Sequence, residues 1–165
     1  MVPMELVGVQ LVAANTPAMM LRESVGEGRM LPILIGSPEA ASIQGVLEGL
    51  VPPRPLTHDL AVTLLAVLGA TLDRVVITEV RDHTFFAELH LRSASGDVVV
   101  SARPSDGVAL AVRTGAQILA AESVLETAGQ PADLDATDED EDDEELILEE
   151  FRDFLDDLDP DDFAT

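Results

Sequence analysis

The stretch Arg74–Ala102, which reads RVVITEVRDHTFFAELHLRSASGDVVVSA, decides the fold class of this chain. β-Branched and aromatic residues are concentrated in three runs, a composition typical of β-strands. These runs are Arg74–Val80, Thr84–Leu91 and Asp97–Ala102. The polar pairs Asp82-His83 and Ser95-Gly96 separate the runs and are typical of hairpin turns. The stretch therefore predicts a meander of three consecutive antiparallel strands.

Further strands and helices are predicted on both sides of the meander. The other strand candidates are Glu5–Ala14, Ala18–Arg22, Leu31–Gly36 and Gln117–Ala120. Helical patterns cover Pro38–Leu50, Thr57–Leu68, Ser105–Thr114 and the short Glu122–Thr127. Because helices and strands occur in mixed runs without strict alternation, we expect an α+β domain. Its sheet should be mixed and largely antiparallel, with helices packed against it.

The acidic charge of the chain is concentrated at its C-terminal end. The 165 residues include 32 Asp plus Glu and 9 Lys plus Arg, all nine of them arginine, for a net charge of −23. Residues 131–165 hold 18 acids and one arginine, whereas residues 1–130 hold 14 acids and eight arginines. This partition predicts a single domain over residues 1–130, a length typical of one domain, followed by an acidic tail.

The tail divides into two parts. Residues 131–145 (PADLDATDEDEDDEE) carry mutually repelling charges and few apolar side chains, which predicts a disordered acidic linker. Residues 146–165 are predicted to contain an acidic amphipathic helix followed by the C-terminal tail, because large apolar residues recur there at helical spacing. Those residues are Ile147, Phe151, Phe154, Leu155 and Leu158. Either this helix docks on a basic partner or on the chain's own active site, or the segment only aids solubility.

Composition excludes several classes of protein. The chain has no cysteine, which excludes disulfide scaffolds, cysteine-ligated metal centres and thiol catalysis. No apolar run reaches the roughly 18 residues that a membrane helix requires, so we expect a soluble, cytoplasmic protein that makes no membrane contact. The net charge of −23 disfavours nucleic-acid binding through bulk charge. Any site for nucleic acid therefore has to be local.

Two of the predicted helices begin with the same sequence pattern. In each, an arginine and a proline precede a hydroxyl residue, and an aspartate follows it in the first turn. The residues are Arg54, Pro55, Thr57 and Asp59 in one helix and Arg103, Pro104, Ser105 and Asp106 in the other. Helix capping explains the hydroxyls and the acids, since both satisfy the first turn of a helix. It does not explain the arginines, which beside exposed helix N–H groups are typical of a phosphate site.

Chemistry at such a site would need a proton carrier, and His58 is the candidate. Asp59 and Asp106 would orient His58 or hold a divalent cation such as Mg²⁺. Arg113 faces either the same site or the solvent. Glu39 is either an ordinary acid in the first turn of a helix or a third carboxylate for a metal ion.

Four motifs in the chain resemble, in order and spacing, the bifunctional nuclease (BFN) domain family. The motifs are LPILIG at 31–36 followed by Glu39-Ala40, RPLTHDL at 54–60, TFFAEL at 84–89 and ARPSDGVALAVR at 102–113. The resemblance covers about residues 1–130 and leaves the acidic C-terminal extension outside. One departure is Ser101, which stands where the family pattern usually has aspartate.

The resemblance implies a compact α+β domain that self-associates as a homodimer and hydrolyses phosphodiester bonds in DNA and RNA. In a nuclease of this kind, His58, Asp59 and Asp106 would be catalytic. The substrate would bind to Arg54, Thr57, Arg103, Ser105 and Arg113. A different kind of function is the alternative: a non-enzymatic anion-binding or regulatory module, which would bind its ligand in the same arginine pocket and catalyse no reaction.

Overall fold

Seven strands and four helices are present in the computed structural model, which describes residues 1–12 and 15–132. The strands are β1 (Val2–Val12), β2 (Thr16–Glu23), β3 (Met30–Leu34), β4 (Ala70–Arg81), β5 (Thr84–Ser93), β6 (Gly96–Ala102) and β7 (Gln117–Ala120). The helices are α1 (Ser37–Leu47), α2 (Thr57–Val67), α3 (Pro104–Thr114) and α4 (Glu122–Ala128). The predicted acidic linker, from residue 133 onward, and the predicted tail helix lie outside the described residues.

All seven strands belong to one mixed sheet with the order β3-β2-β1-β7-β4-β5-β6. Within the described residues, β4 and β7 form a parallel pair and the other neighbouring strands pair antiparallel. The predicted meander is confirmed as β4, β5 and β6. Its first turn holds Asp82 and His83 in left-handed conformations, with φ of 49° and 59°. The predicted α+β class and the largely antiparallel sheet are confirmed.

The strand register places most core side chains of the sheet on one face. Directly paired residues point to the same side, and Val75 lies opposite both Ile118 of β7 and Leu89 of β5. The same face carries most of the buried residues of β1, β2 and β3, and it receives the helices; Ala18 of β2 and Val76 of β4 are buried on the opposite face. The fully buried helix residues of this core are Ile43 of α1, Val108 and Ala109 of α3, and Val124 of α4. The helices therefore lie on one side of the sheet.

α3 is the most deeply buried helix of the described part. Seven of its eleven residues are buried, from Pro104 to Ala111 with one interruption at Asp106. At Gly107 the helix approaches β4 so closely that a Cβ atom there would lie 2.6 Å from the Val75 side chain. α3 thus brings its first turn, with Arg103 and Asp106, to the edge of the core.

α2 is different, because none of its residues is buried. Its inner side chains, Ala61 and Val62, are partly buried and pack on a cluster formed by β4, β5 and α3. The preceding helix, α1, ends at Leu47 and not at the predicted Leu50, since Gly49 takes up a left-handed conformation (φ 68°) that ends a helix. None of the helices in the described part is long and apolar enough to cross a membrane.

Candidate functional site

The start of α3 is held by an ion pair and not by a hydroxyl cap. Arg103 is the N-cap residue, Pro104 is the first helical residue, and the N-cap makes no side-chain cap hydrogen bond. The Arg103 guanidinium donates to both oxygens of Asp106, with Nε–Oδ2 2.7 Å and Nη2–Oδ1 2.9 Å. The prediction that Ser105 caps this helix is wrong. Proline fits the first helical position, where its missing N–H is no loss, so Ser105 becomes a buried residue of the helix.

The start of α2 is also held by a carboxylate. Leu56 is the N-cap residue, and its backbone N–H donates to Oδ2 of Asp59 at 2.8 Å. Thr57 is the exposed first residue of the helix. The prediction that Thr57 is the N-cap is therefore wrong, because an acid at the third helical position reaches back to the N-cap backbone.

The two helix starts meet at His58. Its Nε2 lies 3.3 Å from Oδ1 of Asp106, and its Nδ1 lies 2.8 Å from Oγ of Ser42 in α1. The His58 side chain is 15% exposed, so the ring sits largely inside the protein. The sequence pattern suggested the hypothesis that the two helix starts lie close together. In the structure they are in direct contact.

Arg113 lies in the same cluster and does not face the solvent, since its side chain is 9% exposed. Its Nε donates to Oδ1 of Asp59 at 2.6 Å. Its Nη2 donates to the backbone carbonyl of Ser42 at 3.2 Å and to the Ser42 Oγ at 3.1 Å. Arg113 therefore connects α3 to both other helices of the site.

Glu39 closes the cluster on the other side, because its Oε1 accepts from Nη2 of Arg103 at 2.8 Å. The resulting set is here called the helix-start network. Its members are Glu39, Ser42, His58, Asp59, Arg103, Asp106 and Arg113. Sequence reasoning missed Ser42. Its only signal is the spacing of three residues from Glu39, which places both on one face of a helix.

The Ser42 hydroxyl can either donate to Nδ1 of His58 or accept from it, so it can hold the ring in both neutral tautomers. The Ser42 oxygen accepts from Arg113, which leaves the Ser42 hydroxyl hydrogen available for Nδ1 of His58. When the hydroxyl donates to Nδ1, Nε2 carries the ring hydrogen and donates to Asp106. The contact of Nε2 with Asp106, at 3.3 Å, is longer than the contact of Nδ1 with Ser42, at 2.8 Å. Ser42 holds the ring, and Nε2 is the nitrogen that can exchange its partner.

Asp106 is ionised at neutral pH despite its partial burial. Burial by itself raises the pKa of this carboxyl, but the hydrogen bonds from Arg103 and His58 outweigh that effect. The pKa of Asp106 therefore lies below its usual value. A carboxylate with a lowered pKa is a weak base, so in this pair the imidazole of His58 is the group suited to accept a proton.

The two other carboxylates of the network are also ionised. The hydrogen bond from Arg113, and then the one from the Leu56 backbone, lower the pKa of Asp59. A hydrogen bond from its own backbone N–H, and then one from Arg103, lower the pKa of Glu39. The network thus holds three carboxylates and two guanidinium groups, and it keeps one negative charge in excess while His58 is neutral.

Arg103 is the member of the network that reaches solvent, with 64% of its side chain exposed. It lies at the edge of a cleft of about 880 Å³. The cleft is formed by residues 32–36, the β4–β5 turn with His83 and Phe85, the start of α3 and the end of α4. His58, Asp59 and Asp106 do not line this cleft. A ligand in the cleft would therefore meet the network at Arg103.

Two of the predicted binding residues stand apart from the network. Arg54 is exposed and has no ion-pair partner within residues 1–12 and 15–132. Thr57 is likewise exposed and outside the network, whereas Ser105 lines the cleft beside Arg103. Ser101 pairs with Glu88 of β5, so its side chain lies on the face of the sheet that carries no helix. The departure from the family pattern at Ser101 therefore does not touch the network.

No group of three or more histidines and carboxylates is placed to hold a metal ion in the described part of the chain. Asp106 and Glu39 both accept hydrogen bonds from the same arginine. The cationic partner of these two carboxylates is Arg103.

The sequence model of the Bifunctional nuclease domain family matches residues 19–133. The chain belongs to the bifunctional nuclease domain family. The matched range contains every member of the helix-start network, whereas β1 precedes it. The bifunctional nuclease domain in this chain therefore includes the three helices that build the site and most of the sheet under them.

Two further relatives are similar over nearly the whole chain. Both are described as uncharacterized proteins of Mycobacterium tuberculosis, one from strain CDC 1551 and one from strain H37Rv. Each is 44% identical over 155 residues, which covers 92% of this chain and 90% of the relative. The similarity therefore extends beyond the bifunctional nuclease domain into the acidic C-terminal region.

Proposed function

We propose that this bifunctional nuclease domain hydrolyses phosphodiester bonds in DNA and RNA and that its active site is the helix-start network. The observation that carries the proposal is the contact between the two helix starts. His58, Asp106 and Arg103 form one connected chain there, and the end of that chain is exposed at the edge of a cleft. Phosphodiester hydrolysis needs a cation for the phosphate and a base for the attacking water, and this chain of residues supplies both.

In the proposed reaction, Arg103 turns from its carboxylate partners to a phosphate of the substrate in the cleft. A guanidinium binds phosphate through two parallel hydrogen bonds, as it binds carboxylate here. The phosphate therefore replaces Asp106 at Arg103, and the Nε2 side of His58 becomes available. Buried Ser42 keeps the ring in place through Nδ1 during this exchange.

Hydrolysis then follows from ordinary acid–base chemistry. The oxygen of a water molecule forms a bond to phosphorus while the ester P–O bond breaks. With the ring hydrogen of His58 on Nδ1 and donated to Oγ of Ser42, the free Nε2 takes the proton of the attacking water. The ring becomes an imidazolium, which later gives its proton to solvent, and the leaving oxygen takes up a proton from solvent. Asp106 holds Nε2 of His58 before the substrate binds, and Asp59 keeps Arg113 and the start of α2 in place.

We propose that a divalent cation such as Mg²⁺ takes part in the reaction. Asp106 and Glu39 would hold it after Arg103 has moved, since carboxylate oxygens are the ligands that Mg²⁺ prefers. Such an ion would neutralise charge on the phosphate. The test is cleavage in Mg²⁺ compared with cleavage in excess chelator.

The experiment that tests the active site uses matched pairs of variants. His58→Ala is compared with His90→Ala, since both histidines lie beside a carboxylate and are largely covered. Arg103→Ala is compared with Arg92→Ala, because both arginine side chains are 64% exposed and both bind carboxylates. Single-stranded and duplex DNA and RNA serve as substrates. Circular dichroism first shows that all four variants are folded.

We expect a loss of at least about 100-fold in cleavage rate for His58→Ala, the usual contribution of a general base. Arg103→Ala should weaken substrate binding by about 10-fold to 100-fold, the worth of a charge-assisted hydrogen bond. The two control variants should cleave as the parent chain does. Equal rates for all five proteins would refute the assignment of the site.

A second candidate function is a non-enzymatic anion-binding or regulatory module. The observation in its favour is that both arginines of the network are already neutralised by carboxylates. Such a pocket can exchange a carboxylate of its own for that of a partner without any reaction. Binding of a labelled oligonucleotide or acidic peptide that depends on Arg103, with no cleavage of any substrate, would select this function.

We further propose that the domain acts in the cytoplasm, self-associates as a homodimer, and is regulated by its acidic C-terminal extension. The extension would dock on a basic partner or on the network as a mimic of phosphate. Truncation after Gly129 should then raise the affinity for nucleic acid or the cleavage rate. Equal affinity and equal rate for the full and truncated chains would rule out docking on the network.

A further inference from the structure

The outer side of α2 is an apolar surface that nothing in the described part of the chain covers. Large aliphatic residues recur there every three or four positions and are between 51% and 77% exposed. They are Leu56, Leu60, Leu64, Val67 and Leu68. On a helix this spacing forms one continuous stripe.

The edge strand β6 carries two further exposed apolar residues on the side of the sheet that the helices cover. Val98 and Val100 of β6 pair with Leu91 and Leu89 of β5, so all four side chains point to the helix side of the sheet. Ala61 and Val62 of α2 pack on the same cluster as Leu89 and Leu91 of β5, all of them partly buried. Val98 and Val100, the β6 residues paired with Leu91 and Leu89, remain 50% and 41% exposed. The stripe on α2 together with these two valines is here called the α2–β6 surface.

We propose that the α2–β6 surface is the contact between two copies of this chain. The inference specifies the partner surface for the proposed self-association and does not depend on nuclease activity. Each exposed aliphatic side chain has on the order of 100 Å² of solvent-accessible area. The seven side chains together therefore offer nearly the roughly 800 Å² that each partner buries in a standard interface. Apolar patches of this size on a soluble domain mark interaction sites.

The charge of the surface selects a second copy as the occupant. Residues 60–72 and 98–102, which hold every residue of the surface except Leu56, contain no charged side chain. This part of the surface therefore has no charge by which it would recognise an acidic or basic partner. Two copies repel each other through the rest of their acidic bodies, and an uncharged stripe is where they can meet. A two-fold axis places the same stripe on both sides of the contact, which needs no complementary charges.

The contact would also support the site, because α2 carries His58 and Asp59 in its first turn. α2 has no buried residue of its own within one copy. A partner that covers its outer side would therefore hold the helix against the sheet. It would thereby keep His58 in register with Asp106 and Ser42.

The test exploits the absence of cysteine from the chain. Single cysteines are introduced on the stripe as Leu60→Cys, Leu64→Cys and Leu68→Cys, and on β1 as Leu11→Cys, which is 67% exposed and serves as the matched control. Mild oxidation should join two copies through at least one of the three stripe cysteines and leave the Leu11→Cys protein monomeric on a denaturing gel. Equal cross-linking at Leu11→Cys, or none on the stripe, would overturn the proposal.

Light scattering on the full chain gives a second, independent measurement. Leu64→Glu should weaken dimerisation at least about 10-fold, because a buried unpaired carboxylate is costly, while glutamate favours the helix itself. Leu11→Glu should dimerise as the parent chain does. A parent chain that stays monomeric at high concentration, or a Leu64→Glu variant that dimerises normally, would contradict the proposal. Neither measurement uses nucleic acid, so a failed nuclease assay leaves the outcome unaffected.

Discussion

Arg113 offers the sharpest test of what the helix-start network does. Sequence reasoning assigned it to substrate binding, whereas its side chain is 9% exposed and connects three helices. We predict that Arg113→Ala destabilises the domain. In the structure the guanidinium makes four hydrogen bonds: one to Asp59, one to the carbonyl of Ala109 and two to Ser42.

The expected magnitude follows from these contacts. Breaking a buried ion pair by removal of one partner costs about 3–5 kcal/mol. The Asp59 side chain is 30% exposed, so water regains part of the loss, and we expect about 2–4 kcal/mol for Arg113→Ala. Arg113→Lys keeps the charge near Asp59 but lacks the fork that reaches Ser42. It should cost roughly half as much.

Urea unfolding followed by circular dichroism measures this free energy, and a melting temperature lower by roughly 10 °C should accompany it in a domain of this size. Arg92→Ala is the control, since that arginine forms an exposed ion pair worth at most about 1 kcal/mol. Suppose that Arg113→Ala costs less than about 1 kcal/mol and nucleic-acid affinity falls sharply. Arg113 would then be a binding residue, and the structural role given to it here would be wrong.

Two further predictions concern stability. The pKa values of Asp59 and Asp106 are lowered in the folded protein. Their ion pairs therefore stabilise the fold above the unfolded-state pKa of about 4, and this stability is lost as the pH falls through the lower folded-state values. We expect these two groups to leave the urea midpoint unchanged between pH 7 and 5 and to lower it between pH 4 and 2. A constant midpoint between pH 4 and 2 would contradict a stabilising role for the ion pairs. Gly115 ends α3 in a left-handed conformation (φ 72°), so Gly115→Ala should destabilise by about 1 kcal/mol. Gly45→Ala is the matched change inside α1, where a Cβ would meet nothing closer than 4.0 Å, and it should stabilise by about 0.5–1 kcal/mol; the same sign for both changes would refute the argument.

Local patterns in the sequence were enough for most of the elements. The meander, α3 and the strand Gln117–Ala120 were predicted within a few residues of their observed bounds, because alternation, turn pairs and capping signals act over short distances. The start of β1 was predicted at Glu5 and lies at Val2. Residues 2–4 are held there by β7, a partner more than 100 residues away, and no local signal shows such a pairing.

The sequence likewise predicted part of the site. The repeated arginine, aspartate and proline pattern led to His58, Asp59, Arg103 and Asp106, all of which belong to the network. It did not show that carboxylates already occupy the arginines, nor that the N-caps are Leu56 and Arg103. Those features depend on which partner is near enough in space to displace a hydroxyl or water.

The sequence by itself determined the class of fold, the family, and the identity of the two helix starts, because each rests on residues that are neighbours along the chain. Only the tertiary structure decided that Ser42 holds His58, that Arg113 is buried, and that one side of α2 is left uncovered. These outcomes depend on how α1, α2 and α3 pack across the sheet. Packing joins residues from 16 to 71 positions apart, and contacts over such separations leave no periodic signal in the sequence.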